Sequence, residues 1–274
     1  MKRQTQLFHH LWFLGAVTLA LWMPPLAYAQ PETLTIAAAN SVKDALRKVL
    51  PLFEGQHREI NVRVIYGPSQ TLRKQIEEGA PIDIFLPSLF EEIEQLEAKG
   101  LVIQGTKRIY ASTSLVLITG TTLPAPIASI QDLRTIPIRR LAIGDPSVSS
   151  VGKVTSQFLK YSKLEPLLKS HYVLGEHSRA VLDLVAKGEA EIGIVYRTDA
   201  VADNHVRILD TASAESHTPV HYGVAAVWTA KNISGAGDFI EFLLTPQIQA
   251  QLKEHGFDQA TPDVGVVQRR EGKP

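Results

Sequence analysis

Short apolar runs of strand length alternate along nearly the whole chain with segments whose apolar residues recur at three-four spacing, and few folds accommodate that alternation. Leu34 to Ala38 reads as a buried strand, and Val42, Ala45, Leu46, Val49, Leu50 and Phe53 then lie on one face of a helix. Val62 to Tyr66 is a second strand, Leu72 to Glu78 a short helix closed by Gly79, and Ile82 to Leu86 a third strand. The next helix carries Leu89, Ile93 and Leu96 on one side and stops at Lys99-Gly100. Further strands are expected at Leu115 to Ile118, Leu141 to Ile143, Ile192 to Tyr196 and Ala225 to Trp228. Helices are expected at Lys153 to Tyr161, Arg179 to Lys187, Gly237 to Leu244 and, with Pro at its first position, Pro246 to His255. Such alternation predicts α/β architecture, with parallel sheets covered on both faces. Thr121 to Pro137, rich in Thr and Pro, reads as a loop, and the tail after Phe257 loses periodicity and is expected to fray.

The first thirty residues stand apart from this pattern. Lys2 and Arg3 precede an apolar run from Leu11 to Met23, Pro24-Pro25 ends it, and Ala27-Tyr28-Ala29 has the small-x-small form of a leader-peptidase site. The run is shorter than the roughly 20 residues that span a membrane. Residues 1–29 are therefore expected to be a signal peptide cleaved after Ala29, leaving a soluble protein in a Gram-negative-type periplasm. The chain has no cysteine, which excludes disulfides, thiolate metal sites and lipid attachment through an N-terminal Cys. Lys plus Arg and Asp plus Glu both number 28, so nothing suggests a nucleic-acid footprint or a polybasic membrane patch. An anion, if bound, must be held by local dipoles rather than by a cationic surface.

Four serine positions share one context, in which a strand ends, the chain turns and a helix begins. Ser41 precedes Val42-Lys43-Asp44 in a Ser-x-x-Asp capping box, and Ser69 sits in Gly67-Pro68-Ser69-Gln70-Thr71. Ser149 and Ser150 precede Val151-Gly152, after Gly144-Asp145-Pro146, and Ser178 precedes Arg179. In open α/β sheets, ligands lie beyond the carboxyl ends of the strands, where helix N-termini offer free N–H groups and a positive dipole end. Each serine taken singly is equally well explained as a helix cap, worth about 1 kcal/mol. Together they point to an anion or a small polar ligand.

Other chemistries fit less well. No Gly-x-Ser-x-Gly elbow occurs, since Gly67-Pro68-Ser69-Gln70-Thr71 ends in Thr, and no base is evident for a nucleophilic serine. His217 and His221 are four apart, but Pro219 between them keeps them off one helix face, and the other histidines are scattered. Asp83, Asp145 and Asp199 could hint at paired carboxylates, but carboxylates lining an anion site would repel the ligand.

Several runs resemble the periplasmic molybdate-binding proteins of ABC-type importers. Ile36-Ala37-Ala38-Ala39-Asn40-Ser41 with Ala45-Leu46 is similar to that family's opening motif. Gly67 to Leu72 with Gln75 to Phe85 resembles its second motif, and Leu141-Ala142-Ile143-Gly144-Asp145-Pro146 its third. Arg179 to Val185, and above all Gly188 to Ala200, resemble its late signature, and Thr245-Pro246-Gln247 with Gly256-Phe257 its C-terminal end. The resemblance implies a type II periplasmic-binding-protein fold, with two lobes, a parallel-rich sheet in each and a two-strand hinge. Residues 30–111 plus 223–260 would form lobe I and 112–222 lobe II, with 261–274 a flexible tail. It further implies that Ser41 and Ser69 each give a hydroxyl and an N–H to the oxyanion, Val151 and Ser178 a backbone N–H, and Tyr196 its phenolic O–H. The ligand would be molybdate or tungstate, passed to an inner-membrane ABC permease by a monomer with no cofactor, no catalysis and no nucleic acid partner; molybdenum would enter only as the oxyanion. The chain departs from the family at Ser150-Val151-Gly152, usually Pro-Ala-Gly, at Val154, usually aromatic, and at Ser178, commonly Val. Another tetrahedral oxyanion such as sulfate or phosphate, or an enzyme acting on an oxyanion ester, remains the alternative.

Overall fold

The computed structural model describes residues 31–121 and 127–259. The first part of the chain runs β1 (Glu32–Ala39), α1 (Lys43–Gln56), β2 (Ile60–Gly67), α2 (Ser69–Glu77), β3 (Ile84–Leu86), α3 (Glu91–Ala98), β4 (Arg108–Thr113) and β5 (Leu115–Gly120). It continues as β6 (Leu141–Gly144), α4 (Ser150–Tyr161), α5 (Glu165–Leu168), β7 (Tyr172–Gly175), α6 (Ser178–Ala186), β8 (Ile192–Tyr196), α7 (Arg197–Val201) and β9 (Val206–Thr211). It ends with β10 (Val220–Ala226), α8 (Ile233–Leu244), α9 (Pro246–Glu254) and β11 (Asp258–Gln259). The expected signal peptide, its cleavage site after Ala29 and the tail 261–274 lie outside the described residues. Among the described residues no helix is long and apolar enough to cross a membrane.

Two sheets result. The six-stranded sheet has the order β11-β4-β10-β3-β1-β2 and the five-stranded sheet the order β7-β6-β8-β5-β9. In the first, β1 pairs in parallel with β2 and β3, while β10 is antiparallel to both β3 and β4, and β11 is antiparallel to β4. In the second, β6 pairs in parallel with β7 and β8, and β5 is antiparallel to β8 and β9. Each sheet is thus parallel at one end and antiparallel at the other, where strand-helix alternation had suggested parallel pairing throughout. The chain leaves the six-stranded sheet after Thr113, enters the five-stranded one at Leu115, and returns between Ser216 and Val220.

Burial follows the sequence pattern. Every residue of β1 from Leu34 to Ala39 is buried, as a strand covered on both faces must be, and α1 buries Ala45, Leu46, Val49 and Phe53 while its other face stays wet. Asp83, buried before β3, accepts from the N–H groups of Thr35 at 2.7 Å, Lys231 at 2.7 Å and Asn232 at 3.2 Å, tying β1 to the approach to α8. Between the sheets, Tyr222 meets Phe257 at 5.0 Å and both Tyr110 and Tyr196 at 6.2 Å, so one apolar network spans both sets of strands.

Several local expectations change. The last long strand is β10, ending at Ala226, because the chain turns before Trp228, whose indole N–H donates to the Ile76 carbonyl. Within the expected loop, Ser129 and Asp132 close a capping box over a 3-10 turn, Ile130–Arg134. Asp258–Gln259 does not fray; it pairs with β4.

Candidate functional site

The carboxyl ends of the six parallel strands converge on one cavity. β1 delivers Ala39, Asn40 and Ser41; β2 delivers Gly67, Pro68 and Ser69; β3 delivers Ser88. From the other sheet, β6 delivers Ser149, Ser150 and Val151, β7 delivers His177 and Ser178, and β8 delivers Tyr196. None of the antiparallel strands β4, β5, β9 or β10 contributes. This is the crevice that open α/β sheets provide beyond their strand ends, here shared between two sheets. The cavity is small, about 20 Å³ of space open to the centre of a water-sized sphere, where about 10–15 Å³ suffices for one water. Only a ligand of a few heavy atoms fits.

All five residues singled out by resemblance, Ser41, Ser69, Val151, Ser178 and Tyr196, line this cavity. The strand-turn-helix context of the four serine positions is present, but the capping explanation holds for only one. Ser149 is the N-cap of α4 and accepts from the Gly152 N–H at 3.4 Å. Ser69 and Ser178 are the first residues of their helices, not caps, and α6 is capped by His177, whose Nδ1 accepts from the Ala180 N–H at 3.1 Å. The expected Ser41–Asp44 capping box does not form. Ser41 lies in a short 3-10 turn, Asn40–Val42, its hydroxyl is bound by Tyr222, and Asp44 pairs with Arg47 and Arg179.

The α4 start is set by glycine. A β-carbon on Gly152 would lie 2.5 Å from the Gly144 carbonyl oxygen, and one on Gly144 would lie 2.6 Å from the Gly152 nitrogen. Two bare backbones therefore meet where β6 hands over to α4, which brings Val151 to the cavity wall.

Among the described residues, the lining contains no Lys, Arg, Asp or Glu. Burial lowers the pKa of His177, and its Nδ1 already accepts a hydrogen bond, so the ring is neutral. Burial likewise holds the Tyr196 phenol well above the ordinary tyrosine range, with Tyr222 adding to the shift, so it keeps its proton. Ser88 N–H donates to Ser69 Oγ at 3.1 Å, and the two hydroxyls lie 3.2 Å apart. Tyr196 N–H donates to Ser178 Oγ at 3.1 Å. Within this lining, the buried Ser150 hydroxyl and Tyr196 phenol make no hydrogen bond of normal geometry to another described residue, although the phenol faces the Ser88 hydroxyl. Leaving such groups unsatisfied costs about 1–3 kcal/mol each, so acceptor atoms of a bound ligand or of water would complete them.

Charges flank the cavity in neutralised pairs, Lys153 with Glu91 at 2.6 Å and Arg179 with Asp44 at 3.4 Å, each joining elements of opposite sheets. Asp199 is one of the three aspartates weighed from the sequence as paired carboxylates. It is buried beside the Ser178 hydroxyl, and burial lifts its pKa to about 6, against opposing pulls from Ser178 and Arg179. Sequence reasoning missed Asn40, Ser88 and His177. Ser88 was findable, since it follows β3 as Ser41 follows β1; His177 carried no signal beyond its place before Ser178.

A family model described as bacterial extracellular solute-binding protein matches residues 34–258. The chain is similar, at 31% identity, to the molybdate-binding protein ModA of Haemophilus influenzae, over 84% of this chain and 92% of that one. It is 24% identical to a sulfate-binding protein of Synechococcus elongatus, over 85% of this chain and 75% of the relative. Among solved structures, the substrate-binding domain of a putative molybdenum ABC transporter from Clostridium difficile matches with a TM-score of 0.68 at 28% identity, covering 84% of this chain and 99% of that domain.

Proposed function

The chain belongs to the bacterial extracellular solute-binding protein family, and from that premise we propose that it captures a tetrahedral oxyanion, molybdate or tungstate first, for an ABC permease. One observation carries the reading: among the described residues, a small cavity at the ends of six parallel strands presents hydroxyls and helix starts but no charged side chain, and two of its buried hydroxyls lack partners. A tetrahedral dianion is all acceptor, so a lining of donors suits it, and helix starts spread the compensation of its charge. In this reading Ser41 and Ser69 give hydroxyl and N–H groups, Val151 and Ser178 give N–H groups, and Tyr196 gives its phenol. The protein binds and releases its ligand unchanged, as its family does.

We assign lobe I to the six-stranded sheet and lobe II to the five-stranded one, with the crossings near Ser114 and His217 to Pro219 as the hinge. Bending there opens and closes the cavity, and the closed form is what the permease reads. Export by a leader cleaved after Ala29, residence in the periplasm and a monomeric state belong to the same proposal.

Sulfate is the second reading, favoured by the sulfate-binding relative and by Ser150, Val151 and Ser178, which add hydroxyls and bulk on one wall. Calorimetric titration with molybdate, tungstate, sulfate and phosphate separates the two. Molybdate or tungstate binding at or below micromolar Kd, with sulfate weaker, is expected. Sulfate binding tightest would replace molybdate as ligand, and no oxyanion binding would remove the proposal.

A further inference from the structure

What holds the Ser41 hydroxyl lies outside the cavity. Tyr222 donates its phenolic O–H to Ser41 Oγ at 3.0 Å, and Thr198 Oγ1 lies 3.3 Å from the same phenolic oxygen. Tyr222 is fully buried and does not line the cavity. It stands on β10, where pairing with β4 shifts register between Tyr222 and Gly223, an irregularity of the kind that re-aims a side chain. Ser41 follows β1 of the six-stranded sheet, whereas Thr198 is buried in α7, directly after β8 of the five-stranded sheet. The three hydroxyls therefore form a chain behind the cavity wall that joins elements of both sheets.

Counting protons gives this chain a direction. Each hydroxyl has one proton to donate. A ligand made only of acceptor oxygens takes the proton of Ser41. The Ser41–Tyr222 bond must then use the Tyr222 proton, and the Tyr222–Thr198 bond the Thr198 proton. Burial, reinforced by Asp199, holds the Tyr222 phenol above the ordinary tyrosine range, so its proton is always available for this. The geometry at Ser69 differs, because its hydroxyl is backed by the backbone N–H of Ser88, which no substitution short of proline removes.

Resting on the anion-binding reading above, we propose that Tyr222, backed by Thr198, is a positioning residue for ligand capture that fixes the Ser41 hydroxyl as a donor into the cavity. Tyr222 touches no ligand. It acts through Ser41 alone, and hydrogen bonds in such a chain strengthen one another.

A double-mutant cycle tests this directly, with molybdate, or sulfate if that binds tighter, titrated into each variant and thermal unfolding checked for every one. Tyr222→Phe keeps the ring packed against Tyr110, Tyr196 and Phe257 and removes only the hydroxyl. It should weaken binding about five- to tenfold, whereas Thr198→Val, one bond further back, should weaken it about two- to threefold. In a Ser41→Ala background, Tyr222→Phe should cost less than about twofold more, since its only route to the ligand is gone. A merely structural tyrosine would weaken binding equally in both backgrounds, and that outcome, or no loss from Tyr222→Phe in the otherwise native chain, overturns the proposal. Should Tyr222→Phe fail to fold, Thr198→Val with Ser41→Ala must show the same vanishing effect. A native chain that binds no oxyanion brings down the anion reading and the relay together; binding with purely additive losses brings down the relay alone.

Discussion

The two sheets equip the cavity differently. From the six-stranded sheet come three serine hydroxyls, of which Ser41 is backed by the Tyr222 phenol and Ser69 by the Ser88 N–H. From the five-stranded sheet come the starts of α4 and α6, where Ser149 is used up as a cap and Ser178 Oγ already accepts from Tyr196 N–H. The Ser150 and Tyr196 hydroxyls on that side are buried without a partner among the described residues. On the proposed binding reading, one wall works through side chains oriented in advance and the other largely through backbone N–H groups that any residue can supply. On that reading Ser150, Val151 and Ser178 can differ from the pattern they resemble without emptying the site of donors.

The wall of oriented hydroxyls should be the more sensitive to substitution. Ser41→Ala and Ser69→Ala should each weaken oxyanion binding by about 1.5–3 kcal/mol, the range for hydrogen bonds to charged groups; calorimetry showing unchanged affinity in both would move the site elsewhere. On the backbone wall, Gly152→Ala drives a methyl into the Gly144 carbonyl and should cost about 1–3 kcal/mol of stability, with a loss of affinity as α4 shifts. Thermal melts beside titrations would show whether both fall together, as expected if the α4 start is part of the site.

A smaller effect is expected from pH. Asp199, next to Ser178, has a pKa lifted to about 6. A bound dianion disfavours its ionised form further, so the complex keeps the Asp199 proton to higher pH than the free protein does. Binding then takes up protons above about pH 6, and affinity falls as pH rises through that value, levelling once the complex also loses the proton. A fall of about three- to tenfold by about pH 8 corresponds to a coupling of roughly half to one pKa unit. Asp199→Asn should flatten the profile and bind more tightly at the alkaline end; a slope that persists in this variant would assign the effect to another group. The smallest change in affinity should come from Ser178→Val, about twofold or less, because the proposed contact there is the N–H; the same variant should lose about 1–3 kcal/mol of stability, since the buried Tyr196 N–H loses its acceptor. A loss of affinity as large as that of Ser41→Ala would mean that the second wall also works through its side chains.

How much of this was legible can be judged from particular elements. Ile192 to Tyr196 was readable as β8 to the residue, because a central strand buried on both faces is a continuous apolar run. Strands β4, β7 and β9 were not readable. β7 and β9 are sheet edges, with exposed or half-exposed residues that dilute any pattern, and the β4 run Arg108–Thr113 is interrupted by polar residues. The short α7 follows β8 without a turn signal. The donors at helix starts were legible because the rule behind them is local: a strand ends, a small polar residue follows and a helix begins.

By itself the sequence determined the alternation of buried strands and amphipathic helices, and with it the places where free N–H groups and serine hydroxyls emerge, since periodicity and helix geometry are set by near neighbours along the chain. Only the tertiary structure decided which of those serines caps a helix and which faces the cavity. Ser41 has a capping sequence around it, yet its hydroxyl is taken by Tyr222, 181 residues away. Such a choice between competing hydrogen-bond partners depends on which buried donor arrives from elsewhere in the fold, and no local pattern encodes that arrival.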